Sequence, residues 1–279
     1  MSETVAQSKA NGEADVVEWR TLINGATARR PEPVQAQTFL RRYKTASQAV
    51  ELGCADGNFY VVKALRNDVQ QGRMVFNDQV AARLGALLNA PVPEVALVEI
   101  TAELIAANPD KKEQMGHMLS GTAHGSLRIE GVTERINSFD HPDEADNRVR
   151  YAVLAIFFGW LVAGDAQFIF KKTPPRLVYS HDHGHFFPGG PNWTIASLQR
   201  APAPQADIAL VSRLKLLPEE LVRACAPLRG VLPEQIAQAL AVPPDEWGVS
   251  LDDRAALGEL LYSRRASLLA AHGGTRRPE

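Results

Sequence analysis

Cysteine is nearly absent from this sequence of 279 residues: Cys54 and Cys225 stand far apart, outside any CxxC pair. That excludes a disulfide framework and a zinc knuckle, and makes a reducing, cytoplasmic setting the expectation. Charge of one sign is missing too. Lys+Arg 30 against Asp+Glu 32 leaves a formal net charge of −2, which gives no nucleic-acid footprint. No apolar run is long enough for a bilayer; the longest, residues 151–164, reads as a buried helix, and no membrane association is expected. The polar, acidic stretch 1–15 lacks the apolar segment of a signal peptide. No repeat recurs at solenoid or propeller periods.

What is present is an ordinary globular composition, 45% hydrophobic and 22% charged, enough for one large domain or two lobes sharing a cleft. Residues 1–18 lack periodicity and predict a disordered tail, as do 273–279. Pro31 and Pro33 precede a strand over 34–43, a second strand follows at 49–52, and Ala-Asp-Gly-Asn at 55–58 is a hairpin signal feeding a third over 59–63. Val80, Ala81, Leu84, Leu87 and Leu88 recur at helical spacing, with Asn77 as the expected N-cap, and a strand follows at 95–100. Residues 101–148 are hydrophilic and read as irregular. The helix over 151–164, a loop to Pro175 and a strand into Asp182 come next. Helices at 207–215, 218–226, 233–241 and 250–271 finish the chain and read as scaffold. The expected organisation is α+β, with a β-rich unit over 19–104, a variable linker over 105–148 and a mainly helical unit over 149–272.

The chemistry concentrates in Leu-Val-Tyr-Ser-His-Asp-His-Gly-His-Phe-Phe at 177–187. A strand ending near Tyr179 delivers Asp182 to a turn at Gly184, a good place to present a carboxylate. If the strand continues, His181, His183 and His185 share one face and Asp182 takes the other. Two readings stand. Asp182 carries Mg²⁺ on bound phosphates, or the three imidazoles hold zinc or iron and activate water as in a metal-dependent hydrolase. The first gains from Lys63, a strand-end lysine suited to neutralise a triphosphate, and from Asp78, early in the following helix, which can pair with it. Asp165, after the buried helix, is the candidate carboxylate to orient an attacking hydroxyl. The plainer alternatives are a snorkelling Lys63, a turn-forming Asp165, a helix-start Asp78 and histidines that only hydrogen-bond around Asp182.

The order of these pieces resembles the HipA-like kinases, in their compact single-chain form. The resemblance runs from about Tyr43 to Ala266. It rests on Asp-Gly-Asn-Phe-Tyr-Val-Val-Lys at 56–63, Asn-Asp-Gln-Val-Ala-Ala-Arg-Leu-Gly at 77–85 with Pro-Val-Pro-Glu-Val-Ala-Leu-Val-Glu at 91–99, Gly125-Ser126, Gly164-Asp165, Asp-His-Gly-His-Phe-Phe at 182–187, and Pro-Asp-Glu-Trp-Gly at 244–248. It implies a bilobal protein-kinase-like fold with a β-rich N-terminal lobe and a mainly helical C-terminal lobe, ATP and Mg²⁺ bound between them, a serine or threonine of a protein as acceptor, and an antitoxin-like partner. By the same resemblance Lys63 matches the ATP lysine, Asp165 the catalytic aspartate and Asp182 the metal aspartate. Three positions depart from the pattern. Phe170 occupies the place of the second metal-binding asparagine, leaving Gln167 as the nearest substitute. Asp78 replaces a glutamate, and the phosphate-covering turn, with Thr45, Ser47 and Gln48, has no glycine. These departures also admit a nucleotide-binding pseudokinase that serves as an interaction module.

Overall fold

The structure, a computed structural model, describes residues 17–67, 71–136 and 138–273. Among these residues the elements run α1 (Trp19–Thr27), β1 (Val34–Arg42), β2 (Val50–Cys54), β3 (Phe59–Lys63), α2 (Gly72–Leu87), β4 (Val95–Ile100), α3 (Ala102–Ala107), β5 (Gly121–Leu127) and β6 (Val132–Ile136). They continue with α4 (Asn147–Leu161), β7 (Gln167–Lys171), β8 (Val178–His181), α5 (Ile195–Gln199), α6 (Ile208–Leu214), α7 (Pro218–Cys225), α8 (Pro233–Ala241) and α9 (Leu251–His272). The tails expected at 1–18 and 273–279 lie, but for residues 17, 18 and 273, outside the described residues.

Strands β1, β2, β3, β5 and β4 close into a small barrel in that order. Alternation builds it: Val50, Leu52 and Cys54 on β2 and Tyr60 and Val62 on β3 point into a core shared with Val98, Ile100 and Ala123. The seam is a short parallel pairing of β1 with β4, Val34 opposite Val98 and Gln35 opposite Glu99. Strands β6, β7 and β8 form a separate antiparallel sheet, and the helices gather round the larger core, where Phe157, Trp160, Phe168 and Phe186 are fully buried. No helix among the described residues is long and apolar enough to cross a membrane.

Four expectations need correction. The stretch read as irregular over 101–148 supplies α3, β5 and β6, and β5 lies between β3 and β4, so the barrel continues past Leu104. Gly-Thr-Ala-His-Gly-Ser-Leu has little strand propensity, yet Gly125 suits the place because a Cβ there would come within 2.6 Å of Val98 Cγ2. Helix α1 was not expected. It buries Trp19, Ile23 and Ala26 against α8 and α9, so it joins the large core rather than the barrel. Helix α2 starts at Gly72, so Asn77 is no cap but a wholly buried interior residue; the helix is covered on nearly every side and shows no one-sided stripe to mark its start. The loop expected before Pro175 contains β7.

Candidate active site

Lys63 ends β3 and is buried, and its Nζ donates to two carboxylates: Asp78 Oδ2 on α2 at 2.8 Å and Asp182 Oδ1, one residue beyond β8, at 2.6 Å. Burial alone would lower the ammonium's pKa, but the two acids outweigh it and raise it. The acids divide. Burial pushes Asp78 up to about 6, against the pull of Lys63 and a hydrogen bond from the His183 backbone N–H. Burial acts on Asp182 too, but the Lys63 charge and hydrogen bond hold it below the usual carboxylate range.

The chain conformation explains how Asp182 reaches this point. Strand β8 stops at His181 and Asp182 takes a left-handed φ of 56°, a conformation Asp tolerates better than most residues. Gly184 then passes so close to α2 that a Cβ would overlap Met74 Cγ and sit 3.2 Å from Asp78 Oδ2.

That turn also disposes of the three-histidine metal site. His181 faces the cavity with its Nε2 3.7 Å from Glu134 Oε1. His183 is buried, hydrogen-bonded to Ser180 Oγ at 3.0 Å, with its ring against Phe157 and Phe186. His185 is exposed. Alternation ends with the strand, so the imidazoles point apart, and among the described residues no three His, Cys, Asp or Glu side chains form a group that could hold a metal ion. Burial lowers His181 to about 4 and His183 to about 3, which leaves both neutral at pH 7.

A cavity of about 610 Å³ opens over the lysine, within the range of small-molecule sites. Its walls include Lys63, Asp78 and Asp182, Val61 from β3, the β1–β2 turn, and the segment after β5. In that turn Thr45 and Ser47 reach the cavity with their hydroxyls 3.0 Å apart. Gln48 does not line the cavity. It takes φ 52°, and its carbonyl meets His117 Nε2 at 3.0 Å. Asp165 and Gln167 are brought to each other, Gln167 Nε2 donating to Asp165 Oδ2 at 2.7 Å, but neither lines the cavity; Gln167 pairs across β7–β8 with His181, which does. Phe170 is core.

Sequence reasoning passed over several residues here. His124, opposite Lys63 in the β3–β5 register, is buried on the cavity wall. With the Gln79 amide turned so that its nitrogen donates to His124 Nδ1 at 2.7 Å and its oxygen accepts from Arg83, His124 donates from Nε2 to Ser126 Oγ at 3.0 Å. Glu51 is buried on β2 beside the cavity, accepting from Arg41 at 2.8 Å, Tyr43 at 2.7 Å and Arg128 at 2.5 Å. Burial would raise its pKa, but these donors lower it. Register was the available signal: Glu51 pairs with Val61, two residues before Lys63 and on the same strand face.

The family described as HipA-like kinase matches residues 39–185, more than half of the chain and all of Lys63, Asp78, Asp165 and Asp182. No curated protein matches. Among solved structures, the Helicobacter pylori proinflammatory kinase CtkA is similar at a TM-score of 0.55 and 10% identity, over 86% of this chain and 94% of that one. The Golgi casein kinase follows at 0.41 and 11%, over 92% and 78%. The mixed α and β architecture is thus a kinase-like one, and the chain belongs to the HipA-like kinase family.

Proposed function

We propose that this chain transfers the γ-phosphoryl group of ATP to a hydroxyl, on a serine or threonine of a protein, with Mg²⁺ as the metal. The observation that carries the reading is Lys63, buried on the wall of a nucleotide-sized cavity and shared between a helix carboxylate and a loop carboxylate at 2.8 and 2.6 Å. Phosphoryl transfer asks the protein for position and charge rather than covalent chemistry. The donor set fits the metal. Mg²⁺ prefers hard oxygens and is held by one or two carboxylates with phosphate and water, not by a protein cage, and Asp182 is such a carboxylate on the wall. Bound there, the ion supplies charge neutralisation across the transferring group.

In this reading Asp182 turns to the metal, and Lys63 stays fixed by Asp78 and meets the phosphates. Thr45 and Ser47 offer hydroxyls where related turns offer glycine backbone. Asp165, oriented by Gln167, positions the acceptor hydroxyl. The barrel and the β6–β8 sheet, with the helices behind it, act as two lobes either side of the cavity.

A second reading, a nucleotide-binding module without transfer, is favoured by one fact: Asp165 and Gln167 do not line the cavity. Thermal unfolding with ATP, with and without Mg²⁺, separates the two. Ligand at about a hundred times its Kd stabilises by about 2.7 kcal/mol, a rise of a few degrees for a chain this long. A Mg²⁺-dependent rise that Asp182→Ala removes supports the transferase site, and a rise indifferent to Mg²⁺ favours the module. No rise from a folded protein sinks both. Asp165→Asn should then slow transfer about 10²–10⁴-fold; transfer as fast as the parent's strips Asp165 of its role.

A further inference from the structure

Asn77 precedes Asp78 on α2 and is wholly buried, away from the cavity. Its Nδ2 donates to the carbonyls of Gly184 at 2.9 Å, Phe186 at 3.0 Å and Gly190 at 3.3 Å. Its Oδ1 accepts from Trp193 Nε1 at 2.9 Å, which fixes the amide's orientation, because a flipped amide would set donor against donor. One side chain thereby holds the segment that follows Asp182 at its near, middle and far points.

That segment needs holding. Asp182 and Phe187 have φ of 56° and 71°, left-handed values that cost a residue with a Cβ, and Gly189 and Gly190 follow at 108° and 59°. A conformation this unfavourable persists only where its surroundings fix it. Next to Asn77, Asp78 accepts the His183 backbone N–H, and Gly184 lies against Met74, so two consecutive residues of α2 grip the same loop. The helix is itself anchored at its start: Arg73 donates to Asp253 of α9 at 2.7 Å and stacks 4.3 Å over the Trp193 ring, and Gly72 passes against the Trp247 carbonyl.

We propose that Asn77 is a positioning residue: it clamps the 184–190 loop to α2 and so sets the Asp182 carboxylate where the metal of a bound nucleotide must be met. The inference rests on the phosphotransfer reading and adds to it the residue on which metal affinity depends. Asn suits the place because one planar group both donates and accepts. Asp, of the same shape, would turn an oxygen toward three carbonyls.

The test uses Asn77→Asp and the uncharged Asn77→Ala, which removes the bonds to Gly184, Phe186 and Gly190 without burying a carboxylate. Two quantities are read: the Mg²⁺ concentration giving half of the ATP-induced thermal shift, and amide hydrogen exchange of residues 183–190 without ligand. The bonds from Phe186 N to His183 O, Phe187 N to Leu161 O and Gly190 N to Phe187 O report the loop. Loss of an outer positioning contact should raise the Mg²⁺ midpoint about tenfold or more and speed exchange at those amides, with the response to ATP alone unchanged. A purely structural Asn77 would lower the melting temperature and leave the Mg²⁺ midpoint where it was, and that result overturns the proposal. If Asn77→Asp does not fold, Asn77→Ala decides by the same criteria. A parent with no Mg²⁺-dependent shift overturns the phosphotransfer reading and the metal role together, whereas a parent that responds and a folded variant that responds equally overturns the clamp alone.

Discussion

Two clusters of buried charge border the cavity, and they are built oppositely. At one, a single ammonium, Lys63, serves two carboxylates, and all three groups are at least largely buried. At the other, a single carboxylate, Glu51, serves two guanidiniums; Arg41 is mostly exposed, and Arg128 also reaches the exposed Glu130 at 2.6 Å. The first is short of positive charge and largely withdrawn from water, open only on the Asp182 side, so an added cation is the favourable way to complete it. The second is satisfied, and its cations can return to solvent. Buried acid–base contact alone therefore does not mark a site; the stoichiometry and the access to water do.

The largest test of that contrast removes the lone cation. Lys63→Met strands two acids in a buried place, a change that typically costs about 3–5 kcal/mol. Asp78 can relieve part of it by taking a proton. In the parent, burial already holds it at about 6, above its ordinary value of 3.8, against the pull of Lys63; without that ammonium it rises further, so the folded variant binds the extra proton and recovers stability as pH falls. Urea unfolding of Lys63→Met should accordingly show a deficit at pH 7 that shrinks at pH 5, and Asp78→Asn on top of Lys63→Met should restore part of the loss at pH 7. A deficit of the same size at both pH values would mean that Asp78 is not the stranded group.

How much of this the sequence shows depends on whether local rules or packing decide. Lys63 and Asp182 could be named because a strand end and a turn after an apolar run are local patterns; Asp78 was named from a helix start that in fact lies at Gly72, yet the ion pair expected between Lys63 and Asp78 forms. The histidine face failed because alternation was extended to His185, beyond the strand's end at His181 and past a left-handed Asp182 that no propensity announces. Strand β5 was invisible, being made of small and polar residues whose place is set by Val98 on its neighbour. Asn77 was read as a cap because Asn favours caps, whereas its partners lie more than a hundred residues away along the chain. Long-range partners of that kind leave no local trace.

A middle-sized effect comes from the histidines flanking Asp182. His183 is neutral in the fold, with its pKa at about 3 against an ordinary 6.5. The unfolded chain binds the proton first, so the stability conferred by the neutral ring is complete above 6.5 and drains away as pH falls toward 3. His181, at about 4, acts in the same direction, and Asp78 opposes them between 3.8 and 6. Each titrating group sets a slope of about 1.4 kcal/mol per pH unit. His183→Gln should flatten the parent's loss of stability between pH 6 and pH 4 by about that slope, measured by urea unfolding; an unchanged profile would assign the acid sensitivity elsewhere.

The smallest effect belongs to the satisfied cluster. Glu51→Gln keeps the shape and an acceptor oxygen but removes the charge that Arg41, Tyr43 and Arg128 address. Were Glu51 as sealed as Lys63, the change would match that of Lys63→Met. Because Arg41 lies largely in water and Arg128 has Glu130, the released cations have somewhere to go, and the expected loss is about 1–2 kcal/mol. Salt sharpens the point: a cluster open to solvent weakens with ionic strength, and a sealed one barely does. Unfolding at 0.05 and 0.5 M salt, between which the Debye length falls from about 14 to about 4 Å, should shrink the Glu51→Gln deficit and leave that of Lys63→Met in place. Equal salt responses would mean that the two ends of the cavity are not electrostatically distinct, and the argument that reads one as a cation site would lose its physical basis.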